Sequence, residues 1–407
     1  MSDKIKLITA REIIDSRGNP TVEAKVLLES GAIGIASVPS GASTGIHEAH
    51  ELRDGDKTRF SGKGVLLAVN NIKEEIFPAL KGMSAENLEE IDGKMIALDG
   101  TKNKSNLGAN AILAVSIATA RAAASHKGVE LYRHLSIAET KPPVPMFNVL
   151  NGGAHASNNI DIQEFMLLPY GLPLQEGIKA GVEIYHTLGK ILKSRGLSTG
   201  VGDEGGFAPN LASDEEAIEL LCQAIKESGY GFNQVGIALD VASSEWYEDG
   251  EYILPKRQMK MSAEELIEYY DVLTGKYPIM SIEDGLAEDD FAGWQKLTAR
   301  LGGRILLVGD DLFVTNVERL SQGISLGIGN SILIKPNQIG TLTETLNVIR
   351  LAKESGYKVI LSHRSGETTD TAIADIAAAV GSDLIKSGAP CRGERVAKYN
   401  RLSEIFS

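Results

Sequence analysis

Six short apolar runs in the later part of the chain each end in a residue able to do chemistry. "GIALD", "PIMSIED", "RILLVGDD", "SILIKPN", "KVILSHR" and "DLIKSG" deliver Asp240, Glu283, Asp310, Lys335, His363 and Lys386. The acids of the first three runs offer hard oxygen ligands for a divalent cation that keeps open positions, as magnesium does. A lone aspartate would read as a solvated helix cap, but recurrence at equivalent positions of three neighbouring units points to a metal site. The second carboxyls of "IEDG" and "GDDL" take the capping role. Lys335 and Lys386, facing such a cation, would depress each other's proton affinity from the usual pKa of about 10.4 toward the range of a general base. A base beside a metal suits removal of a proton from a carbon next to a carboxylate, with the ion stabilising the enolate by several kcal/mol.

Neighbouring motifs extend this chemistry. In "SHRSGETTD", Arg364 and Ser365 beside His363 suit a phosphate group, against the plainer alternative of a surface pair between Arg364 and Glu367. Glu204, flanked by Gly205 and Gly206, reads as a general acid held by backbone with little side-chain crowding. Three glycine-rich loops, 39–48, 151–159 and 201–210, would serve as surface turns or as lids. As lids they would carry Ser43 and His155 inward and expel water.

The elements that must position these residues follow from their spacing. From Glu283 onward the terminal residues are 27, 25, 28 and 23 positions apart, the length of one strand, one helix and two short loops. That period predicts a parallel βα barrel, whose C-terminal rim is where strand ends converge on a site. "PVPMFNVLN" and "QEFMLLP" supply two more strands and complete eight. No convincing strand separates the helical stretches before and after Glu204, so the barrel begins irregularly. Upstream, residues 1 to about 36 read as a strand meander, followed by helical patterns in "GKGVLLAVNNIKEEIFPAL" and "NLGANAILAVSIATARAAASHKG", the latter stopping at Gly128. The proline-rich "ETKPPVP" marks a boundary. An α+β capping domain with a lid loop is expected over 1–138 and an α/β, TIM-like barrel over 139–407.

The totals agree with this division. A chain of 407 residues suits a barrel-sized domain plus a smaller one. With 54 acidic against 41 basic residues the formal charge is −13, which disfavours nucleic acid and anionic membranes while leaving room for a small anion held by metal. The two cysteines have no Cys-x-x-Cys spacing, so a reduced cytoplasmic setting is expected. The start "MSDKIKLI" has no signal-peptide core, and the greasiest segment is broken by Asn110, Ser116, Thr119 and Arg121, so no membrane span is expected.

At these residues the chain resembles the enolase family over essentially its whole length. The matching motifs are "DSRGNPTVE", "SGASTG", "NGGAHA", "QEFM", "GDEGGFAPN", "SIEDG", "GDDL", "IKPNQIG", "SHRSGET" and "IKSGAP". The resemblance implies reversible dehydration of 2-phosphoglycerate to phosphoenolpyruvate on a small α+β domain followed by a ββαα(βα)6 barrel; a Lys or His base beside one or two magnesium ions is the family pattern. It implies Lys335 as the base at C2 and Glu204 as the acid at the departing C3 hydroxyl. Asp240, Glu283 and Asp310 match ligands of a first magnesium, and Ser43 a lid ligand of a second that arrives with substrate. His155, Gln163 and Glu164 match substrate-side positions, as does His363, with Arg364 and Ser365 at the phosphate and Lys386 near the substrate carboxylate. A homodimer or octamer, a cytoplasmic location and an additional cell-surface or secreted pool are further implications. Gly285 stands where some members carry proline, two positions after the ligand Glu283. Two alternatives compete: a non-catalytic structural or binding protein on the same scaffold, favoured by loss of a ligand or base, and an acid-sugar dehydratase of the superfamily, favoured by Lys-x-Lys on an early barrel strand. Every ligand and base is present, and "QEFMLLP" has no lysine.

Overall fold

A computed structural model describes residues 2–41 and 47–407. Strands β1 (Ile5–Ile14), β2 (Pro20–Leu28) and β3 (Ile33–Ser37) form an antiparallel meander in that order. Alternation along β2 turns Val22, Ala24, Val26 and Leu28 into the core. The helix Ala109–Lys127 packs on that sheet and is buried on nearly all sides, which its run of alanine and branched apolar residues permits. Gly34 in β3 allows the close approach, because a Cβ there would sit 2.0 Å from the carbonyl oxygen of Ala118. The helix stops at Gly128, which adopts φ of 67°. The helical pattern read over 62–80 is a helix interrupted by a π turn at Ile72–Ile76. Pro78, lacking an N–H to give the carbonyl four residues back, accounts for the break.

The remaining chain closes an eight-stranded barrel. Its strands are β4 (Val144–Asn151), β5 (Glu164–Leu168), β6 (Gly236–Asp240), β10 (Ile279–Glu283), β11 (Leu306–Gly309), β12 (Ser331–Ile334), β13 (Lys358–Ser362) and β14 (Leu384–Lys386). Between β6 and β10 lies a small sheet of β7 (Tyr247–Glu248), β8 (Glu251–Leu254) and β9 (Met259–Met261). β5 runs antiparallel to both β4 and β6, and every other barrel pairing is parallel. Two helices, Leu174–Ser194 and Asp214–Glu227, stand between β5 and β6, giving the irregular ββαα start. Among the described residues no helix is long and apolar enough to cross a membrane.

Inside the barrel Met146, Met166, Leu168, Ala238, Val308, Leu333, Ile360 and Leu384 form an apolar layer of their own. Side chains two positions apart on a strand share a face, so the next inward position on each strand lies at the rim. Those positions are Asn148, Glu164, Asp240, Asp310, Lys335, Ser362 and Lys386. Because β5 is reversed, its first residue rather than its last meets the C-terminal rim.

Candidate active site

Register sets three acids side by side on neighbouring strands: Glu164 pairs across to Asp240, and Asp240 to Glu283. The ammonium of Lys386, from β14, sits among them at 3.1 Å from Glu164, 3.0 Å from Asp240 and 2.9 Å from Glu283. Lys335 leaves β12 and pairs directly with Asp310. Its amine therefore points at the acidic rim and not into solvent. Gln338 donates to the other Asp310 oxygen at 3.0 Å while accepting from Thr315, and the Thr315 hydroxyl accepts from the Lys335 backbone N–H at 2.9 Å.

Asp284 and Asp311 do not cap helices in the way expected for them. Asp284 is buried with φ of 43°, and its carboxylate accepts from the backbone N–H groups of Asp310 and Asp311 at 2.9 and 2.8 Å. It spans β10 and the end of β11, holding Asp310 in place, and a non-glycine residue in this backbone region marks strain of the kind found at functional sites. Asp311 lines a cavity at the acidic rim.

Glu204 lies in the loop between the two helices that precede β6. Gly205 must be glycine: its φ is 87°, and a Cβ would meet Cys391 Sγ at 2.7 Å. The carbonyl of Glu204 accepts from Ala389 N–H at 2.9 Å, and that of Gly205 from the Tyr185 hydroxyl at 2.9 Å. The expectation of little side-chain crowding is overturned. Glu204 is 3 % exposed, and its carboxyl meets Asn148 Nδ2 at 3.0 Å, His363 Nε2 at 3.3 Å and His155 Nδ1 at 4.0 Å. The segment that follows His155 is anchored at Asp161, which accepts from Lys256 N–H at 2.7 Å and from Arg257 Nε at 2.9 Å, both in the turn between β8 and β9.

Arg364 is neither a surface residue nor bound through its side chain to Glu367. It is buried, with Nη1 at 2.9 Å from Glu48 and at 3.1 Å from Asn337, and Nη2 at 3.1 Å from Glu48. Glu367 instead accepts from the Arg364 backbone N–H and from Lys398. A phosphate at this guanidinium would compete with Glu48. Gln163 donates to Asp240 at 3.4 Å.

One cavity is lined by His155, Gln163, Glu164, Glu204, Asp240, Asp310, Lys335, His363, Arg364, Ser365 and Lys386 together. Of the other residues singled out in the sequence, Glu283 stands against Lys386 without lining the cavity, and Ser43 lies outside the described residues. Glu48, Asn148, Asp284, Gln338 and Arg395 were missed. Asn148 could have been found from its position two residues after an inward apolar residue, and Gln338 from its place inside "KPNQIG". Arg395 is carried by the last helix and has no local motif to mark it.

The electrostatics are those of a site built for added positive charge. Eight carboxyl groups line the cavity against three basic side chains, Lys335, Arg364 and Lys386. Burial, then the neighbouring Asp240, pushes Glu283 well above the ordinary carboxylate range. Burial and Asp311 do the same to Asp284, while Asp311 is pushed up to about 7 by burial and Asp310. Buried carboxylates that cannot all ionise are what a divalent cation relieves, and an all-oxygen donor set suits a hard ion. Among the described residues, acids and histidines bring ligand atoms within 4.8 Å of one another at Asp284, Asp310 and Asp311 and at His155, Glu164 and Glu204, besides an outer group of His47, Glu288 and Asp289. The sequence-derived trio of Asp240, Glu283 and Asp310 shares this rim, with the two ammonium groups interleaved.

For both lysines the protein's own groups oppose the expected depression. Burial lowers Lys335, yet the Asp310 carboxylate outweighs it and holds the amine above its usual value. Burial also opposes the charge of Lys386, and Asp240, Glu164 and Glu283 override it by a wide margin. Glu204 is raised by burial but carried well below its ordinary range by its histidine neighbours, His363 through the hydrogen bond from its ring N–H and His155 through its charge.

His155 follows the opposite course. Burial alone would lower its pKa from 6.5, but the Glu204 and Glu164 carboxylates lift it to about 9. The folded value exceeds the unfolded one, so its stabilising contribution is complete below pH 6.5 and is lost as the pH rises through about 9. The melting temperature of metal-free protein is expected to fall across that window, and His155→Gln to flatten the fall. Calorimetry at stepped pH checks this, and equal slopes for the two proteins would refute it.

Comparison with known families agrees with the geometry. Residues 5–135 match the family Enolase, N-terminal domain, and residues 139–406 match Enolase, C-terminal TIM barrel domain.

Proposed function

This chain belongs to the enolase family, and on that premise we propose that it interconverts 2-phosphoglycerate and phosphoenolpyruvate, a glycolytic hydro-lyase reaction of the cytoplasm. The observation that carries the reading is one cavity lined by the Lys335 amine, the buried acid Glu204 and the carboxylates of Glu164, Asp240 and Asp310, with Glu283 behind them against Lys386. Lys335 takes the proton from C2. Burial favours its neutral form and the charge of Asp310 opposes it, so the amine becomes a base when that charge is compensated. Magnesium held by Asp240, Glu283 and Asp310, with a second ion arriving with substrate and reached by Ser43, would supply that compensation and stabilise the enolate as a Lewis acid.

Glu204 gives its proton to the C3 hydroxyl as the C–O bond breaks and water leaves. In the hydration direction the same carboxylate takes a proton from the incoming water, and its ionised state in the free protein suits that role. Arg364 and Ser365 receive the phosphate, and Lys386 presents fixed positive charge toward the substrate carboxylate. His155, Gln163, Glu164 and His363 complete the wall around the substrate. An acid-sugar dehydratase would call for Lys-x-Lys on an early barrel strand, where β5 reads "EFMLL". A homodimer or octamer is part of the same proposal, and exposed Leu7, Ile14, Ile33 and Ile35 in the N-terminal sheet suit a second copy. Free Cys222 and Cys391 fit a reducing compartment.

The test is absorbance of phosphoenolpyruvate formed from 2-phosphoglycerate. Exhaustive chelation is expected to reduce the rate at least about 100-fold, and added magnesium to restore it. Undiminished activity after chelation would remove the metal from the mechanism, and no product with magnesium present would remove the substrate assignment.

A further inference from the structure

Arg395, in the first turn of the helix Gly393–Ile405, is completely buried. Its Nη1 lies 2.6 Å from His363 Nδ1 and donates to the carbonyl of Arg364 at 2.6 Å. Its Nη2 donates to the carbonyls of Ser365 at 2.6 Å and Asp203 at 3.2 Å. One guanidinium thus ties the end of β13 to the loop that carries Glu204.

The consequence lies in the ring of His363. An arginine side chain has only donors, so Nδ1 must accept, and a neutral imidazole then keeps its one proton on Nε2. That nitrogen stands 3.3 Å from Glu204 Oε2. Turning the ring over would set carbon against the guanidinium and leave Nδ1 without its donor, so the partners fix the orientation.

We propose that Arg395 is a positioning residue for the acid: it locks His363 as the neutral Nε2–H tautomer, which gives a hydrogen bond to Glu204 and has no free lone pair to take the acid's proton. Resting on the reading of Glu204 as the acid, this adds the reason its proton goes to the departing hydroxyl and not to the adjacent imidazole. The surroundings favour the neutral ring. Burial lowers its pKa to about 4; Glu204 and Glu367 act against that, and Arg395 acts with it.

The decisive measurement is nitrogen NMR of the full-length protein with ¹⁵N-labelled histidine at neutral pH. The His363 signals among the seven histidines are identified by their loss in His363→Gln. The expected pattern is a pyrrole-type Nε2 with a pyridine-type Nδ1, and a protonated Nδ1 or an imidazolium would overturn the proposal. In Arg395→Met the proton is expected to distribute over both nitrogens, and kcat for dehydration to fall about 10- to 100-fold with KM little changed, by analogy with other orienting partners. Arg395→Lys, which keeps a donor, is expected to recover part of the loss. A fall in kcat with the tautomer unaltered would reduce Arg395 to a structural role and sink the idea. The wild-type spectrum decides even if the variants do not fold. Because it is read without turnover, a wild-type protein with this tautomer and no dehydratase activity would count against the substrate assignment alone.

Discussion

Lys335→Ala is expected to lower dehydration of 2-phosphoglycerate by about 10³- to 10⁴-fold, the full worth of a positioned base. Exchange of the C2 hydrogen with solvent should fall by a similar factor, because both processes begin with the same proton transfer. Loss of activity alone would not distinguish a base from a structural cation, since Lys335 is also the ion-pair partner of buried Asp310. Lys335→Arg separates the two roles. A guanidinium preserves the charge beside Asp310 but does not give up its proton in this range, so the arginine variant should fold as the wild type does and remain inactive. Near-normal exchange in either variant would transfer the base role to another group. Metal affinity is expected to hold or rise in Lys335→Ala, because the ammonium no longer competes for Asp310, and titration calorimetry with magnesium reads that directly.

Much of this arrangement is legible in the sequence. The 25-residue scale of the repeat located six parallel strands, and in four of them the polar residue that ends the run is the rim residue, two positions beyond an inward apolar one. Val308 with Asp310, Leu333 with Lys335 and Leu384 with Lys386 are examples. On β13 the rim position is Ser362 with His363 one residue on, and Glu283 of β10 has no partner in the apolar layer. The antiparallel β5 hid this rule, since its rim residue, Glu164, comes before its apolar residues, and its role was reached only through family resemblance. What sequence spacing could not give was pairing across distance. Arg364 with Glu48 and Arg395 with His363 join segments 316 and 32 positions apart. Nothing local marks such partners. The pKa directions were missed for a related reason: the expectation for Lys335 weighed a cation and another ammonium, whereas the adjacent Asp310 carboxylate dominates once the fold brings them together. Asp284 was misjudged because a capping role suits an acid in a solvated turn, and this one is buried and accepts from the next strand's end.

Glu204→Gln should divide the reaction where Lys335→Ala abolishes it. Glutamine keeps the size of the side chain and an oxygen that can accept from Asn148, but it has no proton to give the C3 hydroxyl. Dehydration and hydration are both expected to fall about 10²- to 10⁴-fold, while C2 exchange continues, since Lys335 is intact and the enolate can be reprotonated at carbon. The same substitution removes the charge that does most to lift His155 toward about 9. The His155 pKa should therefore move back toward 6.5, and the pH-dependent loss of stability should shift to lower pH with it. Exchange and melting curves measured on one preparation thus test the acid by two independent routes. If exchange stops together with dehydration, proton removal and hydroxyl loss are not separate duties of Lys335 and Glu204. If the stability profile does not move, the Glu204 carboxylate is not what charges His155, and the 4.0 Å separation between them carries no ionic interaction.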